Sequence, residues 1–164
     1  MIIDLMKNVV YSGFLIMNGK QDLKPIMDCL HYNTEESAGI TISDGKSMET
    51  FRGMGLVTEV FRQIPEKEGF IGIGHVRYST TGSSVSSNIQ PLQAEGINGS
   101  VAIAHNGNLT NTISLKTRLL QGGATFQTTM DTEVIIKLLA RSKERRIEDQ
   151  IKEVMSEIRG AYAL

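Results

Sequence analysis

The chain predicts an α+β fold, with sheets covered by helices. Three observations carry that prediction. Short apolar runs of strand length stand at 12–18, 38–43, 69–76 and 100–105. An Asp44-Gly45 dipeptide between two such segments marks a hairpin, since turn positions there favour positive φ. Helical spacing of apolar residues then dominates the last third of the chain.

In order along the chain, SGFLIMN (12–18) is apolar enough for a buried strand. Asp22 can cap a helix to about Leu30, because Leu23, Ile26, Met27 and Leu30 recur at helical spacing, and Pro25 falls harmlessly in its first turn. AGITIS (38–43) reads as a strand and 47–52 as its return. Leu56, Val60 and Ile64 suggest a short helix. GFIGIGHV (69–76) alternates small and apolar residues, as a strand covered on both faces does. Residues 81–100, rich in Gly, Ser and Asn, read as a long loop of the functional or mobile kind. SVAIAH (100–105) is another buried strand. Helices follow at about 111–121, 131–142 and 146–158, and Gly160–Leu164 opens one more strand.

The 164 residues suffice for one domain with a real core, and 40% hydrophobic and 21% charged residues are ordinary for a soluble protein. A net charge of -1 points away from nucleic acid. No apolar run approaches the roughly 20 residues that cross a bilayer, and the N-terminus lacks the basic leader of a signal peptide. Cys29, the single cysteine, excludes an internal disulfide and fits a reducing, cytoplasmic setting; on its helix it reads as a core thiol. Three scattered histidines give no metal-ligand spacing, and no cofactor is expected. His75 and His105, each near a strand end, read as hydrogen-bonded structural residues; Lys143, Arg145 and Arg146 read as a solvated face.

Three places carry chemistry. Arg77, after a buried strand, can grip a carboxylate through two parallel hydrogen bonds, or form a structural salt bridge. Asn106-Gly107 is a turn signal and also a plausible oxyanion site, an amide beside an unobstructed N–H. Asp131 is placed to cap a helix and, with its remaining oxygen, to meet an ammonium group. Gly122-Gly123 and residues 125–129 make a flexible approach to it. Together these groups suit a ligand with a carboxylate, an ammonium and a carbonyl: an amino acid with a side-chain amide.

The strings ESAGI (36–40), GLVTEVF (55–61), GIGHVRYSTTGSS (72–84), AHNGNL (104–109), FQTTMDTEVI (126–135) and RGAYAL (159–164) resemble, in order, the class II, N-terminal-nucleophile glutamine amidotransferases. Amidophosphoribosyltransferases are closest among them; glucosamine-6-phosphate synthases and glutamate synthases are less similar. The resemblance runs from about residue 12 to 164. It implies a four-layer αββα sandwich, incomplete at its C-terminus, with residues 1–11 as a leader and 12–164 as the amidotransferase domain. It implies glutamine as the ligand. Arg77 would clamp its α-carboxylate, Asp131 its α-ammonium, and Thr80 and Thr81 would line the pocket; Asn106 and Gly107 would form the oxyanion hole. A phosphoribosyltransferase domain outside this sequence would use the ammonia. The edge strand at Leu164 invites pairing with another chain, as in a homo-oligomer or with an active homologue.

Two positions depart from the family pattern. Ser12-Gly13 stands where the family has its nucleophilic Cys-Gly, and Asn33 replaces an arginine that normally lies near the active site. A serine hydroxyl depends wholly on its base, and the family's base is the free α-amine of that same residue. The readings are therefore an amidotransferase domain that supplies ammonia for purine synthesis, a catalytically dead glutamine-sensing or scaffolding module, or a serine-type amide hydrolase released by cleavage after Tyr11.

Overall fold

The computed structural model describes residues 12–21, 36–62, 69–77 and 86–164. The leader 1–11, the helix expected at 22–30 with Cys29, the departure at Asn33, and Thr80 and Thr81 lie outside the described residues. Helices and sheets are mixed, as an α+β fold requires, and the chain forms two compact units that divide after Pro91.

The first unit holds a four-stranded antiparallel sheet. Its strands are β1 (Ser12–Gln21), β2 (Ser37–Ser43), β3 (Met48–Met54) and β4 (Gly69–Arg77), in the order β1-β4-β2-β3. The β2–β3 hairpin is a four-residue loop and not a two-residue turn, because Ser43 pairs with Met48. Gly45 takes a φ of 82°, while Asp44 Oδ1 accepts hydrogen bonds from the N–H groups of Lys46 and Ser47, an Asx-type closure. A single turn of helix, α1 (Val57–Val60), follows, and its start is held by the Leu56 N–H donating to the Glu59 carboxylate.

This sheet has two chemically different faces. Ala38, Ile40, Ile42 and Val76 pack with Val57 and Phe61 into one apolar core. Strand alternation sends Ser37, Thr41 and His75 to the other face, where all three are also buried. Thr41 has a polar partner there, the Thr50 hydroxyl 2.8 Å away, and on the same face Arg52 Nη1 donates to the Ile89 carbonyl at 2.8 Å. The double cover expected of 69–76 holds for Gly74–Val76, whereas Phe70 and Ile71 are exposed.

The second unit begins with a hairpin inside the segment that reads as a loop from sequence. Strands β5 (Leu92–Gly96) and β6 (Gly99–Ile103) pair antiparallel across Ile97-Asn98. The alternation of Leu92 and Ala94 inward is only two residues long, too short to outweigh the Gly, Ser and Asn around it. The strand expected at 100–105 is thus observed from Gly99 and ends at Ile103, two residues short of its expected bound. After His105 the chain enters β7 (Asn106–Leu109), which pairs with β8 (Gly160–Ala163). Between them come α2 (Thr112–Gln121), α3 (Asp131–Arg141) and α4 (Ile147–Glu157), within one or two residues of the expected bounds. Helix α3 is the centre of this unit: Thr132 to Ile136, Leu138 and Leu139 are all buried, and Leu92, Leu109, Leu115, Leu119 and Val154 pack with them. A helix buried on nearly every side reads as such in its apolar content.

Gly39 is the tightest point of the first sheet. A Cβ there would lie 2.0 Å from the Gln90 carbonyl oxygen. Gly39→Ala should therefore destabilise the protein by about 1–3 kcal/mol, as overpacking does. Urea denaturation checks this; an unchanged midpoint would show that the 90–91 backbone yields freely.

Candidate functional site

The expected site residues fall in both units, and each unit presents its own group. In the first, the register forms a row across the sheet: Ser12 on β1 pairs with His75 on β4, His75 with Gly39 on β2, and Gly39 with Arg52 on β3. Arg77 ends β4 two residues beyond His75, hence on the same polar face, paired with Ser37. The Arg77 carbonyl accepts from the Glu36 N–H, which fixes the strand end. Among the described residues no carboxylate forms a salt bridge with Arg77.

The second unit brings Asn106, Gly107 and Asp131 into one neighbourhood. Asn106-Gly107 is not the plain turn its composition suggests. Both residues lie in β7, opposite Ala163 and Tyr162. Gly107 has a φ of 131°, and a Cβ on it would sit 2.2 Å from the Ala161 carbonyl oxygen. Glycine is required by backbone conformation and by the closeness of β8. Asn106 is half-buried, and Gly107 is exposed.

Asp131 is the first helical residue of α3, not its cap; Met130 occupies the capping position without a side-chain hydrogen bond. The carboxylate instead reaches back to β7. Its Oδ2 accepts from the Leu109 N–H at 2.9 Å, and its Oδ1 lies 3.3 Å from His105 Nδ1. His105 Nδ1 is also 3.1 Å from the Thr132 hydroxyl. Burial pushes the Asp131 pKa up. The hydrogen bonds from His105 and Leu109, the charge His105 carries when protonated, and the Thr132 backbone outweigh burial, so the carboxyl sits below its ordinary 3.8. The side chain keeps 17% of its surface exposed, and a carboxylate offers about four lone-pair sites, so a cationic ligand can still reach it.

His105 is the hydrogen-bonded structural histidine expected from sequence, and it links the residue before β7 to the start of α3. One residue of this neighbourhood escapes sequence reasoning. Glu133 is buried, and its two oxygens accept the N–H groups of Gln127 and Thr128. The stretch 125–129 is therefore tied down at these amides and is not a free approach. The signal available was an acidic residue two positions into an apolar helix, a pattern that helix starts show in general. Lys143, Arg145 and Arg146 are exposed as expected, with Arg146 beside Glu148. Among the described residues no group of His, Cys, Asp and Glu could hold a metal ion, and no helix is long and apolar enough to cross a membrane.

Comparison with known proteins converges on one family. The model of the glutamine amidotransferase domain matches residues 75–164. The amidophosphoribosyltransferase of Bacillus subtilis is 44% identical over 137 residues, which cover 82% of this chain and 29% of that protein. Amidophosphoribosyltransferase 2 from the chloroplast of Arabidopsis thaliana is 43% identical over 141 residues, covering 84% of this chain and 25% of that protein. A solved structure described as the allosteric regulatory enzyme of purine biosynthesis superposes with a TM-score of 0.73 at 44% identity, over 82% of this chain and 30% of that one. The chain thus spans under a third of the length of these relatives.

The lowered pKa of Asp131 has a sign that can be checked. Its stabilising contribution is fully present above its unfolded value near 3.8 and is lost as the pH falls through the lower folded value. Asp131→Asn should therefore be less stable than wild type at neutral pH, with the gap closing below pH 3.8. Denaturation midpoints of both proteins across that range test it; a gap independent of pH would contradict the linkage.

Proposed function

Because the chain belongs to the glutamine amidotransferase family, we propose that it binds glutamine and serves as the amidotransferase part of an amidophosphoribosyltransferase-like protein. In that role it releases ammonia from glutamine for phosphoribosylamine synthesis in purine biosynthesis, with a phosphoribosyltransferase domain as its partner. The observation that carries the reading is the second unit's cluster. An exposed edge of a stabilised carboxylate at Asp131 stands on a helix start that is hydrogen-bonded to the strand of Asn106 and Gly107. A carboxylate for an ammonium and an amide corner for a developing oxyanion are what amide hydrolysis of glutamine asks for.

In this proposal Arg77 holds the α-carboxylate, Asp131 the α-ammonium, Asn106 and the Gly107 N–H the oxyanion, and Thr80 and Thr81 line the pocket. The four-layer αββα arrangement, residues 1–11 as a removable leader and a cytoplasmic location belong to the same proposal. Support for Arg77 is its place on the polar face of the first sheet without an ionic partner among the described residues.

Ser12, where the family has cysteine, favours weak hydrolysis. The comparisons give no support to the stronger alternative of a dead scaffolding module, since the relatives they return carry the names of enzymes. The register partner of Ser12 is His75, so Ser12 stands on the strand next to the one whose end carries Arg77.

Calorimetry with L-glutamine tests the reading directly. Wild type should bind, and Arg77→Ala should lose at least ~1.5 kcal/mol, the worth of a charged hydrogen-bonded contact. Equal affinities would remove Arg77 from the carboxylate role. Intact mass shows whether residues 1–11 are removed. With Ser12 at the terminus, Ser12→Cys should raise glutaminase activity by about tenfold or more, because a thiol is partly ionised at neutral pH. Persistent inactivity would place the defect beyond the nucleophile.

A further inference from the structure

His105 is 3% exposed and sits between the strand of the amide corner and the helix of the ammonium-binding candidate. Its backbone immediately precedes Asn106, and its Nδ1 faces both the Asp131 carboxylate, at 3.3 Å, and the Thr132 hydroxyl, at 3.1 Å. Asp131 returns to the same strand through the Leu109 N–H. The loop of contacts therefore closes on itself: residues 105 and 109 bracket Asn106 and Gly107, and both are tied to one carboxylate. Any rotation of that carboxylate about its own side-chain torsions gives up either the Leu109 hydrogen bond or the close contact with His105. We propose that His105 is a positioning residue that locks the Asp131 carboxylate relative to the Asn106–Gly107 corner, so that recognition of the α-ammonium is set together with the amide site.

This rests on the glutamine reading above. It goes beyond it by assigning ammonium selectivity to a buried residue that touches no ligand. The physical reason is preorganisation. A carboxylate held in one orientation meets the ammonium without losing rotamer freedom on binding, whereas a free one gives up part of the gain as side-chain entropy. A purely structural histidine would affect every ligand alike. A positioning histidine affects only ligands that carry the ammonium.

That difference defines the experiment. Binding of L-glutamine and of 4-carbamoylbutanoate, which is glutamine without its ammonium, is measured by calorimetry on the full chain. Wild type should prefer glutamine by about tenfold, the scale of one charge-assisted contact. His105→Gln, whose amide falls at the Nε2 position, should lose most of this preference while affinity for 4-carbamoylbutanoate stays within about twofold. His105→Asn, whose amide falls at the Nδ1 position, should keep it. Circular dichroism confirms that each variant is folded. An undiminished preference in His105→Gln, or a preference lost equally in His105→Asn, overturns the proposal. Should His105→Gln fail to fold, His105→Asn decides alone: a retained preference supports the lock and a lost one refutes it. Wild type that binds neither compound overturns the glutamine reading and the lock with it, a result distinct from wild-type selectivity that His105→Gln leaves intact.

Discussion

Buried polar groups must find partners, and the first turn of α3 is where this demand shapes the molecule most. Asp131, Thr132 and Glu133 are three consecutive polar residues at the head of the helix that forms the centre of the second unit. Leaving any of them unsatisfied would cost on the order of 1–3 kcal/mol. Each finds its partners outside the helix: Asp131 in Leu109 and His105, Thr132 again in His105, and Glu133 in Gln127 and Thr128. Two carboxylates at a helix N-terminus also suit the positive end of its dipole. The helix start thus fixes β7 on one side and the preceding loop on the other.

The first unit meets the same demand in a sheet. Its apolar face is an ordinary core against a short helix, but its other face buries Ser37, Thr41 and His75 and carries Arg77 at its end. A polar face covered by protein is costly unless it is hydrogen-bonded or used. Here Thr50 and the 86–91 segment supply part of the pairing, and Gly39 lets the backbone of Gln90 come close enough to do so. The absence of a side chain at residue 39 is therefore part of the polar face's design. Gly107 plays the corresponding part in the second unit, where β8 passes against it.

The family's chemistry sits naturally on such surfaces. An amino-acid amide presents two charges and a carbonyl within a few bonds, and it is discriminated from its analogues by polar groups that cannot relax when one partner is missing. Rigid carboxylates and glycine-enforced corners provide that discrimination better than mobile loops do.

Much of the architecture was legible in the chain. Helices α2 to α4 follow their apolar spacing, the strands at 37–43 and 69–77 follow their apolar runs, and Gly45 marks a real turn. Local misreadings arose where short-range composition conflicted with pairing partners far away. Leu92–Gly96 and Asn106–Leu109 look like loop and turn, yet become strands because β6 and β8 are there to bond them. By itself the sequence determined the periodicities, the turn glycines and the motif strings that place the chain in its family, since these depend on neighbours a few residues apart. Only the tertiary structure decided that His105 and Leu109 would hold Asp131, 26 and 22 residues further on, and that Glu133 would pin the loop before it. A buried hydrogen bond belongs to two distant segments at once, and its geometry exists only when packing has brought them together.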